Sequence, residues 1–194
     1  MLRNGSISRG ESRGLAAVAP VLRVAAGTIA LIASANVEVP LVPVPFTLQV
    51  FALCYVVLAL RPREAVASAA SYVAIGALGA PVFSGHMGGI VRLAGPTGGF
   101  ILGFVLAAAV GSLVLGRASR TRLPWVASAA ASLVAMVAVV YLCGWAQLMV
   151  VAHLSAAAAF AAGVAPFVAL DLMKVGIASC TFAAGRIALG RDAR

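Results

Sequence analysis

Asp171 and Lys174 stand three residues apart in the run Pro166-Phe167-Val168-Ala169-Leu170-Asp171-Leu172-Met173-Lys174, which opens the last long apolar stretch of the chain. Lys174 is the only lysine in 194 residues. Residues three apart on a helix share a face, so the carboxylate and the ammonium look the same way. An ionisable group at mid-depth in a bilayer costs roughly 2.5 to 3.5 kcal/mol on insertion scales; such groups pair, face a bundle interior and mark ligand or ion paths. Two readings of the pair are open. It is the floor of a site for a polar ligand, or a neutralised ion pair that only locks the last helix to a neighbour.

The elements that position this pair follow from composition. The chain is 63% hydrophobic and 10% charged, with a mean hydropathy of +1.09, whereas about a quarter of a soluble domain is charged. At about 20 residues per crossing, six spans use about 120 residues and leave short loops and tails. The expected fold is therefore an all-α integral membrane bundle of six transmembrane helices. It forms one domain over 15–194, behind a disordered cytoplasmic tail at 1–14. No room is left for a soluble catalytic domain, and no Gly-x-x-x-x-Gly-Lys-Ser/Thr loop is present. Any ATP-driven step needs an ATPase on another chain.

Thirteen arginines and one lysine against five acids give a net charge of +9. The basic residues cluster in short hydrophilic breaks: Arg3, Arg9 and Arg13; Arg61 and Arg63; Arg117, Arg120 and Arg122; Arg186, Arg191 and Arg194. The positive-inside rule puts these breaks and both termini on the cytoplasmic side of the cell inner membrane. No basic stripe interleaved with aromatics suggests nucleic acid. Cys54, Cys143 and Cys180 lack C-x-x-C spacing and read as small core residues, and His86 and His153 have no acidic neighbours to build a metal site.

In chain order, the first span covers Leu15 to about Ala35. Its Arg-rich front and Ala33-Ser34-Ala35 ending imitate a signal peptide, but its length and the membrane segments that follow argue for retention. Arg23 is expected to snorkel to the cytoplasmic interface. Ala26, Ala30 and Ser34 form a smooth strip, suited either to packing within this chain or to docking a partner membrane protein. Asn36 to Phe46, with Pro40, Pro43 and Pro45, is a non-helical outer connection. Thr47 to Leu60 is the second span, Arg61 to Glu64 an inner turn, and Ala65 to Leu78 the third span. Gly79 to Pro96 is too rich in Gly and Pro for a helix and reads as a mobile outer loop.

That loop carries Arg92, the one arginine of thirteen placed outside, where it either clamps an anion or is a solvated charge. Thr97 to Gly116 is the fourth span, in which Gly99, Gly103, Ala107 and Gly111 make a small face for close helix packing. Leu123 to Leu142 is the fifth span. Cys143 to Ala165, broken by Gly144 and Gly163, reads as an outer connection with a short interfacial helix and Trp145 at its start. Pro166 to Leu189 is the sixth. Ser84-Gly85-His86 is the only hint of an enzyme, and it lacks an orienting acid.

Four stretches carry a family resemblance: Pro43-Val44-Pro45-Phe46-Thr47-Leu48-Gln49; Gly76-Ala77-Leu78-Gly79-Ala80-Pro81-Val82-Phe83; Gly95-Pro96-Thr97-Gly98-Gly99-Phe100 with Gly103; and Pro166-Phe167 with Asp171 and Lys174. In this order and spacing they resemble the BioY family, the biotin-specific S components of energy-coupling-factor (ECF) vitamin transporters. The resemblance implies six helices with cytoplasmic termini and a vitamin pocket near the outer face, closed by the loops after the first and third spans. It also implies partners, namely a pair of ECF ATPase subunits and a transmembrane coupling (T) protein. No cofactor is implied for this chain: biotin is the transported ligand, and ATP is used by the partners.

Given that ligand, Asp171 suits a ureido N–H, Lys174 the ureido carbonyl, and Arg92 the valerate carboxylate. An amide side chain tied to carboxylate binding in some relatives has no counterpart within Gly79 to Gly89. Phe46, Phe83, Tyr141 and Trp145 are candidates for the apolar lining, as well as for core or interface anchors. The Ala26, Ala30 and Ser34 strip is the candidate docking face. The rival readings are an S component for another vitamin and a membrane scaffold or sensor without transport.

Overall fold

Long apolar runs bounded by Pro, Gly and Arg dictate helices, and the computed structural model of the chain is built from them. It describes residues 7–189, with side chains from Val18 onward; residues 1–6 and 190–194, with Arg3, Arg191 and Arg194, lie outside the described residues. Helix α1 (Ile7–Ala35) starts inside the expected tail, so 7–14 continue the helix instead of forming an irregular segment. Strands β1 (Glu38–Val39) and β2 (Phe46–Thr47) pair antiparallel, Glu38 opposite Thr47, and pin the proline-rich connection into a ribbon. The fold is thus helical with one small two-stranded addition. Helices α2 (Gln49–Ala59) and α3 (Pro62–Ala77) follow.

Gly79 ends α3 at φ +102°, a conformation that side-chain-bearing residues rarely adopt. The next loop, expected to be irregular, instead holds a 3-10 turn at Ser84–His86, closed by the Phe83–Met87 bridge, and a short helix α4 (Ile90–Ala94) bearing Arg92. Then come α5 (Gly98–Ala118), α6 (Trp125–Val151), α7 (Ala156–Gly163) and α8 (Ala165–Ala188). Helix α6 runs past Leu142 because Gly144, expected to break it, sits where Phe100 fills the space a side chain would take. The connection expected to lie outside therefore covers 152–164 only, shorter than expected.

Among the described residues four helices are long and apolar enough to cross a membrane: the Val18–Ala35 part of α1, then α5, α6 and α8. Large apolar side chains such as Leu22, Ile29, Leu106, Leu142, Met173 and Ile177 face outward, while Ser68, Ser128, Ser132 and Ser179 are buried. An apolar exterior around an apolar core that also holds small polar groups is unlike a water-soluble bundle and matches lipid as the surrounding solvent. Small polar groups stitch the interior: Ser132 Oγ donates to Gly111 O at 2.7 Å, and Thr28 Oγ1 donates to Ser68 O at 3.2 Å. Arg23 does more than reach for an interface. It grips Glu64 bidentately at 2.7 and 3.0 Å, and Glu64 also accepts from the Arg61 amide at the start of α3.

Helices α5 and α6 pack along the small face of α5. A side chain at Gly99 would strike the Cys143 carbonyl, one at Gly103 would stand 3.0 Å from Cys143 Cβ, and one at Gly111 would stand 3.1 Å from Met136 Cβ; Ala107 is fully buried. We expect Gly99→Ala to lower the thermal midpoint of the detergent-solubilised protein by several degrees, because backbone must yield, at about 1–3 kcal/mol. Gly116→Ala, which meets nothing within 4 Å, serves as the control. An unchanged midpoint for Gly99→Ala would contradict the packing described.

Candidate ligand-binding site

The early part of α8 carries Asp171 and Lys174 inward, as their three-residue spacing requires. Asp171 is 3% exposed and Lys174 8%. Lys174 Nζ donates to Asp171 Oδ1 at 2.7 Å and to the Thr47 carbonyl at 2.8 Å, and lies 4.0 Å from the centre of the Phe46 ring. Tyr141 on α6 donates its hydroxyl to Asp171 Oδ2 at 2.5 Å. Each carboxylate oxygen thus has one donor and room for another, and the ammonium has used two of its three protons on oxygen.

These groups floor a pocket of about 600 Å³, counting its open mouth. Its position follows from its lining. The β2 loop supplies Val44, Pro45, Phe46 and Thr47, and the 79–97 loop supplies Ser84, Arg92 and Thr97. Both loops lie at one end of the bundle. The walls are apolar: Phe100, Ile101 and Phe104 from α5, Val50 from α2, Val140 from α6, and Phe167 from α8, which stacks on Phe46 with centroids 6.2 Å apart. Arg92 therefore meets the buried pair in one cavity although 79 positions separate it from Asp171 in the sequence.

Two donors in the pocket have no partner among the described residues: Arg92 Nε and Thr97 Oγ1 are both buried and unbonded. An unmade hydrogen bond of this kind costs about 1–3 kcal/mol, which a polar ligand would recover. The charge balance indicates the sign of that ligand. Asp171 and Lys174 cancel, Arg92 is left over, and a pocket with one surplus positive charge suits a monoanion with an apolar body.

Of the residues singled out from sequence, Asp171, Lys174, Arg92, Phe46 and Tyr141 come together here. Phe83 does not line the pocket. It is fully buried against Tyr72, edge to face at 5.4 Å, and occupies the space left by Gly76. Trp145 does not either: it continues along α6, donates Nε1 to the Ala156 carbonyl at 2.9 Å, and lines a separate apolar cavity with Phe160. In the α1 strip Ala26 and Ala30 are exposed, but Ser34 turns inward and bonds to Leu31 O at 3.0 Å. Sequence reading gave no role to Gln49, Thr97 or Phe167. Gln49 is 4% exposed, bonds to the Tyr72 hydroxyl at 2.6 Å and lines the pocket. Its signal was available, since it is the one amide in an otherwise apolar span.

Fold and site define a helical, multi-pass membrane protein that encloses a polar-floored pocket at the loop end of its bundle. The chain belongs to the BioY family, whose model matches residues 8–191. It is similar to the biotin transporter BioY of Thermotoga maritima, at 36% identity over 78% of this chain and 86% of that protein. It is also similar to the probable biotin transporter BioY of Pyrococcus horikoshii, at 36% identity over 74% of this chain and 82% of the relative. Among solved structures, the S-component for biotin from an ECF-type ABC transporter superposes with a TM-score of 0.78, covering 87% of this chain and 91% of the other. At 19% identity this likeness speaks for the fold.

Proposed function

We propose that this chain is the biotin-capturing subunit of a vitamin uptake system. It takes biotin at the outer face and releases it inside with ATP-driven partner subunits. The observation that carries the reading is the meeting of a buried Asp171–Lys174 pair and an unbonded Arg92 donor in one aromatic-walled pocket, in a chain whose family relatives are named biotin transporters. Biotin combines a ureido ring, an apolar bicycle and a carboxylate, and each part has a counterpart here. Asp171 accepts from a ureido N–H, the remaining Lys174 proton meets the ureido carbonyl, the stacked Phe46–Phe167 pair borders one side of the bicycle, and Arg92 with Thr97 takes the carboxylate.

In this reading α1, α2, α3, α5, α6 and α8 are the six spans. The end bearing Arg61, Arg63, Arg117, Arg120 and Arg186 faces the cytoplasm with both termini, and the pocket opens outward through the inner membrane's outer face. A pair of ATPase subunits and a transmembrane coupling protein complete the transporter. Ala26 and Ala30, exposed on α1, are the docking face, without Ser34.

Equilibrium binding to the purified, detergent-solubilised chain tests the ligand. Biotin is expected to bind with saturation at one site per chain, and thiamine and riboflavin are not. A preference for either of the latter would make this an S component for another vitamin, and no binding at all would favour a scaffold. Co-purification with an ATPase from the source cell tests the partners.

A further inference from the structure

At the end of the bundle away from the pocket, α3 and α5 leave a groove of about 1340 Å³, mouth included, that shares no residue with the pocket. Val66, Ala109 and Leu113 wall it, and Arg63, Arg117 and Arg120 line it where the helices end. The three guanidiniums are exposed, and the ion pairs among the described residues, Arg23–Glu64 and Lys174–Asp171, do not include them. Glu64, the acid in the first turn of α3, is committed to Arg23. Within the same groove Ser112 is 4% exposed, and its hydroxyl has no hydrogen-bond partner among the described residues.

We propose that this groove is a binding site for an anionic phospholipid, with its phosphate against Arg63, Arg117 and Arg120 and an acyl chain along the walls. Guanidinium forks match phosphate oxygens bidentately, and basic pockets between membrane helices suit anionic head groups. The apolar part decides the rest of the chemistry. From Arg117 back to Ala109 the groove follows α5 for about 12 Å, at 1.5 Å per residue, a depth that a free phosphate or an acidic side chain leaves empty and a lipid tail fills. A zwitterionic lipid brings its own cation up against the three arginines beside its phosphate, whereas an anionic lipid does not. The inference needs only that this end of the bundle sits at a membrane interface, and it stands apart from the identity of the pocket's ligand.

The test uses the full chain purified in a neutral detergent and titrated with short-chain phosphatidylglycerol, phosphatidylcholine of the same chain length, or inorganic phosphate, reading the thermal midpoint. Phosphatidylglycerol is expected to raise the midpoint saturably, while the other two do not. Arg117→Gln and Arg120→Gln are each expected to weaken that binding about fivefold, the share of one arginine at a lipid surface, with biotin binding unchanged. Equal stabilisation by phosphatidylcholine, an equal effect of phosphate alone, or parent-like lipid binding in both variants would overturn the proposal. Should Arg117→Gln fail to fold, Arg120→Gln, beyond the end of α5, carries the comparison, and the three-probe titration of the parent chain decides independently.

Discussion

Asp171→Asn is expected to weaken biotin binding about twofold to thirtyfold. Asparagine keeps the size of the side chain but removes the charge, and a hydrogen bond to a charged group contributes about 1.5–3 kcal/mol where a neutral one contributes about 1. The substitution has a second effect. Lys174, 8% exposed, loses its counter-ion, and stripping one partner from a buried pair costs about 3–5 kcal/mol of stability. The two effects separate in the double variant Asp171→Asn/Lys174→Met. It regains stability because no unpaired charge is left, and it still binds biotin poorly because the ligand's partners are gone. Titration with labelled biotin, alongside a thermal melt, gives both readings. If the double variant binds biotin like the parent chain, the pair is only a lock between α8 and its neighbours.

Arg92→Ala is expected to cost about tenfold to a hundredfold in affinity for biotin and almost nothing for biotin amide, which has no carboxylate to meet the guanidinium. The parent chain should therefore discriminate between acid and amide, and the variant should not. This contrast is more telling than the loss itself, because Arg92 sits on the five-residue helix α4, whose disturbance would weaken both ligands alike. A matched loss for acid and amide would remove Arg92 from the carboxylate and make it a support for the loop. Raising the ionic strength is expected to weaken biotin binding only modestly, since the Arg92 Nε is buried and screened less than a surface charge.

The residues that meet in the pocket were readable from sequence where a rule of cost applied. A lone lysine three residues after an aspartate in an oily run has few places to go, and an arginine on the wrong side of the charge pattern calls for a partner. What eluded sequence reading was what packing decides. Gly144 reads as an interruption and is instead the seat of Phe100, so α6 extends to Val151 and carries Trp145 within it, not in the connection to α8. Phe83 shares its motif with Gly76, and the aromatic fills the gap the glycine leaves; a one-dimensional pattern does not tell such a pairing from a ligand wall. Ser34 follows Ala26 and Ala30 at four-residue spacing, but at 3.6 residues per turn each step overshoots a full turn by about 40°, so over eight residues the strip drifts about 80° from an exposed face into the interior. Gln49 is marked only as the one amide of its span, and Thr97, the residue before α5, carries too small a burial cost to stand out.

Ser84, in the 3-10 turn between α3 and α4, donates its hydroxyl to the Glu38 carboxylate on β1, and the β1–β2 ribbon ends in Phe46 and Thr47 at the pocket floor. Two coverings that are far apart along the chain are thereby latched to each other. The backbone carbonyl that receives the Lys174 proton belongs to the same ribbon, at Thr47. Displacing the ribbon would therefore strip Lys174 of its Thr47 acceptor and, through Glu38, pull on the turn between α3 and α4, so the charged floor and both coverings form one connected unit.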